Sequence, residues 1–140
     1  MKKKEEVKQC ERLTDAELDI MRVLWQKNVP MRAAEIVKSL SETRSWKTQT
    51  AHVLLNRLEE KGFVSADRSG YFHAYSYAIG EREYFASESD AFVKRLGGSV
   101  KAMVASMIDT DSISEGELLE LAALLDAKCG ELGIKRKGGK

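Results

Sequence analysis

The chain is poor in the residues from which reactive sites and membrane anchors are made. It has two cysteines, Cys10 and Cys129, far apart and with neither a CxxC nor a CxC spacing. Isolated thiols form neither a zinc site nor a disulfide framework, and they suit a reducing cytoplasm. There are two histidines, His52 and His73, and neither stands beside a cysteine or within an acidic cluster. With no acid, base and nucleophile grouped together, no enzyme is expected, and no metal or cofactor is implied. No apolar run reaches the roughly 20 residues of a membrane span. The N-terminal stretch "MKKKEEVKQCER" is basic but has no apolar core, so it does not read as a secretory signal. The expectation is a cytoplasmic protein without membrane insertion. No internal repeat is visible.

What is present is an ordinary globular composition. Of 140 residues, 43% are hydrophobic and 32% charged, and the net charge is +1. A chain of this size can bury roughly two-thirds of the surface its unfolded state exposes. The charge is unevenly spread. Residues 1–80 carry 14 Lys and Arg against 11 Asp and Glu, net +3; residues 81–140 carry 9 against 11, net −2. The front is mildly basic, which matters more for an anionic partner than the total does.

Residues 1–12 are charged and aperiodic and read as a flexible arm. "TDAE", Thr14 to Glu17, is a capping box ahead of Leu18, Met21, Leu24 and Trp25 at helical spacing. "KNVP", ending in the single proline Pro30, ends that helix. "MRAAEIVKSL" predicts a second helix with Ala33, Ile36, Val37 and Leu40 inward, and "SETRS" a short loop. "WKTQTAHVLLNRLEEKGF", from Trp46 to Phe63, predicts a third, with Ala51, Leu54, Leu55 and Leu58 as its apolar stripe and Gly62 as its left-handed terminator. Beyond Gly62 the period falls to about two. "FVSADR" and "YFHAYSY" flank "SG", a hairpin signal, with Tyr71, His73, Tyr75 and Tyr77 on one face. Three short helices followed by a hairpin make a winged helix-turn-helix, with the third helix as reader. The remainder is helical. "EREYFASESDAFVKRL" carries Tyr84, Phe85, Phe92 and Leu96 on a stripe. "GG" at 97–98 breaks the chain. "SVKAMVASMI" follows, and a second capping box, Ser114 to Glu117, opens a leucine-rich helix. The fold class is mostly α with a small β wing. The expected division is an arm at 1–12, a winged helix at 13–79, a helical dimerisation domain at 80–132 and a disordered basic tail at 133–140.

The third helix has an unusual outer face. Gln49, His52, Val53 and Asn56 lie opposite its apolar stripe, and its charge comes late, at Glu59, Glu60 and Lys61. Gln and Asn pair with adenine edges, and Val53 suits a thymine methyl. Lys47, Thr48 and Thr50, at the helix start, suit phosphate. Arg57 lies on the flank, where it either faces a duplex or packs its stem and pairs its head. Trp46 reads as the staple that fixes how the chain enters the helix. Arg68, with Ser69 and Tyr71, reaches phosphate if the wing touches DNA. In the last helix Leu118, Leu119, Leu121, Leu124 and Leu125 cover more than one face, which calls for neighbours on two sides. A second copy of the chain is the natural neighbour. The expected dimer seam is Tyr84, Phe85, Phe92, Leu96, Met103, Leu118, Leu121 and Leu125.

"LTDAELDIMRVLW" (13–25), "AAEIVKSL" (33–40), Trp46, "LNRLEEKGFV" (55–64), "YSY" (75–77) and "ESDAFVKRLGGSVKAMV" (88–104) together resemble the penicillinase-repressor family, the BlaI, MecI and CopY type. The resemblance implies a homodimeric repressor of resistance or copper genes that grips a palindromic double-stranded DNA operator. The family's DNA-contacting helix positions fall on Gln49, Thr50, His52 and Val53. Well-known members carry lysine, threonine, arginine and threonine there, so only Thr50 is kept. The copper branch has a C-terminal CxC pair, and this chain has Cys129 alone. The β-lactam branch is cut at an Asn-Phe bond that aligns with Ser106-Met107, so the cleaved dipeptide is absent here; a membrane sensor protease encoded beside the gene would be the partner that restores such a switch. A different class of function, a winged-helix protein-interaction module that never touches DNA, stands as the alternative.

Overall fold

The structure, a computed structural model, describes residues 7–135. It comprises α1 (Asp15–Lys27), α2 (Ala33–Ser39), α3 (Thr48–Glu60), β1 (Val64–Asp67), β2 (Ala74–Tyr77), α4 (Glu81–Arg95), α5 (Val100–Asp109) and α6 (Glu115–Glu131). These fall into two compact units, one ending at Phe92 and the other starting at Val93.

In the first unit local chemistry sets the helix ends. Thr14 Oγ1 accepts from the Glu17 N–H while Glu17 accepts from the Thr14 N–H, a reciprocal capping box. Asn28, at φ 53°, closes α1 in the left-handed conformation that asparagine tolerates. Gly62, at φ 82°, closes α3. The Phe63 N–H reaches the Leu58 carbonyl at 2.9 Å and the Gly62 N–H reaches that of Glu59 at 3.0 Å, the paired bonds of a Schellman motif.

The core forms where the inner faces meet. Ile20, Met21 and Leu24 of α1, Ile36 of α2, and Ala51, Leu55 and Leu58 of α3 are buried with Phe63 and Tyr75. The strands pair antiparallel, with Val64 opposite Tyr77 and Asp67 opposite Ala74.

Several expectations are corrected. The second helix starts at Ala33, because Met31 is drawn into the sheet: its N–H and carbonyl both bond Tyr75, at 2.9 and 2.8 Å. The hairpin is not closed by "SG". Six residues, Arg68 to His73, connect the strands, so Tyr71 and His73 are loop residues while Tyr75 is core. The start of the turn is held by Asp67, whose carboxylate accepts from the Ser69 N–H and hydroxyl.

The N-terminal segment is tied down between Gln9 and Leu13. The Cys10 N–H donates to the Ser87 hydroxyl at 2.8 Å, the Leu13 N–H to the Tyr84 hydroxyl at 3.0 Å, and Gln9 to Asp90 at 2.6 Å. Residues 1–6 of the expected arm, and residues 136–140 of the expected tail, lie outside the described residues. Tyr84 is likewise no seam residue. It is 6% exposed, packs edge-on to Phe63, and donates to Glu88. Burial and the carboxylate acceptor raise its phenol to about 12, with the Leu13 N–H opposing. The first turns of α4 therefore belong to the winged-helix unit rather than to a domain starting at residue 80.

In the second unit Ser99 caps α5, and Ser114 and Glu117 form the capping box of α6. Gly97 and Gly98, at φ 98° and 84°, make the break before α5. Neither α5 nor α6 has a fully buried residue among those described.

Candidate nucleic-acid interface

The α3 helix divides cleanly. Its inner stripe is Ala51, Leu54, Leu55 and Leu58, all buried. On the other side Gln49, Thr50, Val53 and Asn56 are exposed and His52 is half-buried. Val53 is 43% exposed, an apolar group standing among hydrogen-bonding ones. No acidic residue occupies the first turn.

Lys47 is the N-cap residue, and its side chain makes no capping bond. The first N–H groups of α3 are thus left without a side-chain acceptor, beside the exposed Lys47 and Thr48. This end of a helix attracts anions. Trp46, half-buried, packs against the core just before the cap, and the Arg44 guanidinium lies 5.0 Å from its ring centroid. Arg44 also pairs with Asp19 at 2.7 Å, which fixes the turn between α2 and α3. Arg57 is exposed on the helix flank.

The far end of α3 is fixed by two ion pairs. Lys61 Nζ lies 2.8 and 3.0 Å from the carboxylate oxygens of Glu17, which is 1% exposed. Burial pushes that carboxyl up, but hydrogen bonds from Lys61 and Thr14 outweigh it and hold it below its ordinary value. Arg68 of the wing grips Glu59 through both terminal nitrogens, at 2.9 and 2.5 Å. The sequence expectation gave Arg68 to phosphate; here its guanidinium is engaged by a carboxylate.

Two features were not foreseen. Tyr71 and Phe72 stand exposed on the wing, edge to face at 4.9 Å, with the Arg32 guanidinium 4.9 Å from the Phe72 ring centroid. A shallow groove beside α2 is lined by Lys27, Arg32 and Lys38 with one carboxylate, Glu35. The Arg32–Phe72 contact joins residues from separate parts of the chain, and the groove forms from side chains between Lys27 and Ser39 that follow no single periodicity.

Residues 13–127 match the family model for the penicillinase repressor. The penicillinase repressor of Bacillus licheniformis is 31% identical over 121 residues, 86% of this chain and 94% of that protein. The chain belongs to the penicillinase repressor family. This is a family of DNA-binding transcriptional repressors and not of enzymes, so the exposed face of α3 is to be read as a regulator's surface and not as a catalytic one. A 16.5 kDa protein of Latilactobacillus sakei is 27% identical over 83% of this chain and 80% of its own length. The solution structure of monomeric Bacillus licheniformis BlaI in complex with the blaP half-operator is 32% identical and covers 54% of this chain and 92% of that one, with a TM-score of 0.46. The crystal structure of YusO from Bacillus subtilis covers 85% of this chain and 75% of that one at 21% identity, with a TM-score of 0.50, a likeness of fold. In this penicillinase-repressor family member no described helix is long and apolar enough to cross a membrane.

Proposed function

We propose that this repressor acts as a homodimer that lays α3 of each copy into successive major grooves of a two-fold operator. The observation that supports the reader is the outer face of α3: Gln49, Thr50, Val53 and Asn56 presented together, with no carboxylate in the first turn, above a fully buried inner stripe. Gln49 and Asn56 are suited to adenine edges and Val53 to a thymine methyl, while Lys47 and Thr48 hold phosphate and set the register.

The dimer reading rests on the second unit. Leu118, Leu119, Leu121, Leu124 and Leu125 of α6 are exposed in a single copy, as are Val100, Met107 and Ile108 of α5. So many exposed large apolar side chains on two neighbouring helices in sequence suit an interaction face. With Tyr84 withdrawn, the second unit offers Leu96, Met103, Leu118, Leu121 and Leu125 to the seam, and Phe85 and Phe92 remain exposed apolar residues of the first unit. Release then follows from separating the readers from the seam. Ser106-Met107 lies inside α5 with both side chains exposed, so a sensor protease cutting there has to open the helix first.

Footprinting on the gene's own promoter tests the proposal. Two protected half-sites on one face of the duplex, centred about one helical turn apart, are expected. Asymmetric single sites, or no protection, count against it. The latter result favours an interaction module without DNA.

A further inference from the structure

The Arg68–Glu59 pair joins α3, the proposed reader, to the wing loop beside it. Glu59 lies in the last turn of α3, and Arg68 is the first residue of the wing loop after β1. The contact is a two-pronged fork, with Nη1 and Nη2 each donating to a different carboxylate oxygen. A guanidinium makes the same fork with a phosphate as with a carboxylate. The pair is open to water, with the Arg68 side chain 46% and that of Glu59 30% exposed. Most solvent-reached pairs contribute little to stability, and a forked one, though stronger, stays open to a competing anion of the same geometry. The neighbouring carboxylate, Asp67, accepts from the Ser69 N–H and hydroxyl rather than from Arg68. The hydrogen bonds from Arg68 also hold the Glu59 carboxyl below its ordinary value, so it stays ionised at neutral pH.

We infer that Glu59 is an internal stand-in for a DNA phosphate: it occupies Arg68 in the free protein and gives it up when the duplex backbone arrives. The inference rests on the proposed DNA reading and deepens it. Its consequence is discrimination. On random duplex, where base contacts are poor, the Arg68 contact forms only by breaking an internal pair, so weak complexes are weakened further. At the operator, base contacts by α3 hold the wing close enough for the exchange to occur.

Duplex binding by the full chain, measured against salt on operator and random sequence, tests this with four variants. Glu59→Gln should bind both duplexes several-fold tighter, with the larger gain on random sequence and a salt dependence steeper by about one unit. In an Arg68→Gln background the same substitution should bring no such gain. Glu60→Gln, which removes an exposed carboxylate one residue away, should have a smaller effect than Glu59→Gln. If the gain of Glu59→Gln persists without Arg68, Glu59 merely repels DNA and the inference is overturned. If Glu59→Gln weakens binding, the pair positions the wing for contact, and the inference is again overturned. Wild-type chain that binds no duplex at all overturns the DNA reading itself, and the inference with it, and that failure is visible without any variant.

Discussion

Glu17 shows how much one residue can carry. It is the third residue of the α1 capping box and also the buried partner of Lys61 at the end of α3. A glutamine there keeps the reciprocal cap, since either residue serves at that position, but loses the charge that meets Lys61. Glu17→Gln should therefore cost about 1.5–3 kcal/mol at neutral pH, the range for a hydrogen bond to a charged group. Because the carboxyl lies below its ordinary value of 4.5 in the folded chain, its contribution is present in full above that value. It is lost as pH falls through the lowered folded value. Denaturant unfolding of both proteins at pH 7 and pH 3 should show the stability gap narrowing on acidification. A gap of the same size at both pH values would show that the ionised pair is not its source.

At the scale of the element, the proposed reading gives α3 two kinds of contact that salt separates. Gln49→Ala and His52→Ala should relax base preference, with about 1–3 kcal/mol lost per good base contact. Half-buried His52 sits deeper than Gln49, so its effect depends on how far its ring reaches from the helix. Lys47→Ala should weaken operator and random duplex alike and lower the salt slope by about one unit. Equal losses for all three on both duplexes would remove α3 from the reader's role. The wing is the less legible element. Alternation placed its second strand at Tyr71–Tyr77, yet only Ala74–Tyr77 pairs with β1, with Met31 bridged to Tyr75, while Tyr71 to His73 stand exposed in the loop.

For the whole molecule, the decisive quantity in the proposed dimer is the coupling between its two readers. Joining them makes the second half-site contact intramolecular, worth roughly 10²–10⁴ in avidity. Leu121→Asp or Leu125→Asp introduces a charge on α6, harmless to a single copy in which both positions are exposed. Buried in a seam without a partner, such a charge costs several kcal/mol, on the order of the penalty for an unpaired buried ion. Sedimentation should show monomers. Operator affinity should fall toward that for one half-site, and melting of the first unit should be unchanged. Variants that remain dimeric, or monomers that keep full operator affinity, would refute the seam on α6.

Local chemistry was enough to place every helix to within a few residues. The capping boxes at Thr14 and Ser114, the Gly62 terminator and the apolar stripes of α1 and α3 depend on residues within one or two turns of each other, and such signals survive in a linear string. The outer face of α3 was legible for the same reason, since helical periodicity fixes which side chains oppose a buried stripe. What tertiary structure alone decided lies between distant segments. The segment from Gln9 to Leu13 is anchored on α4, Tyr84 turns into the core rather than toward a partner, Met31 joins β2, and Glu17 meets Lys61. Arg68 was visible as a cation on a wing, but not as the partner of Glu59. Each of these depends on which polar group finds a partner once chain segments are brought together. A sequence records the donors and acceptors, whereas burial and distance choose among them.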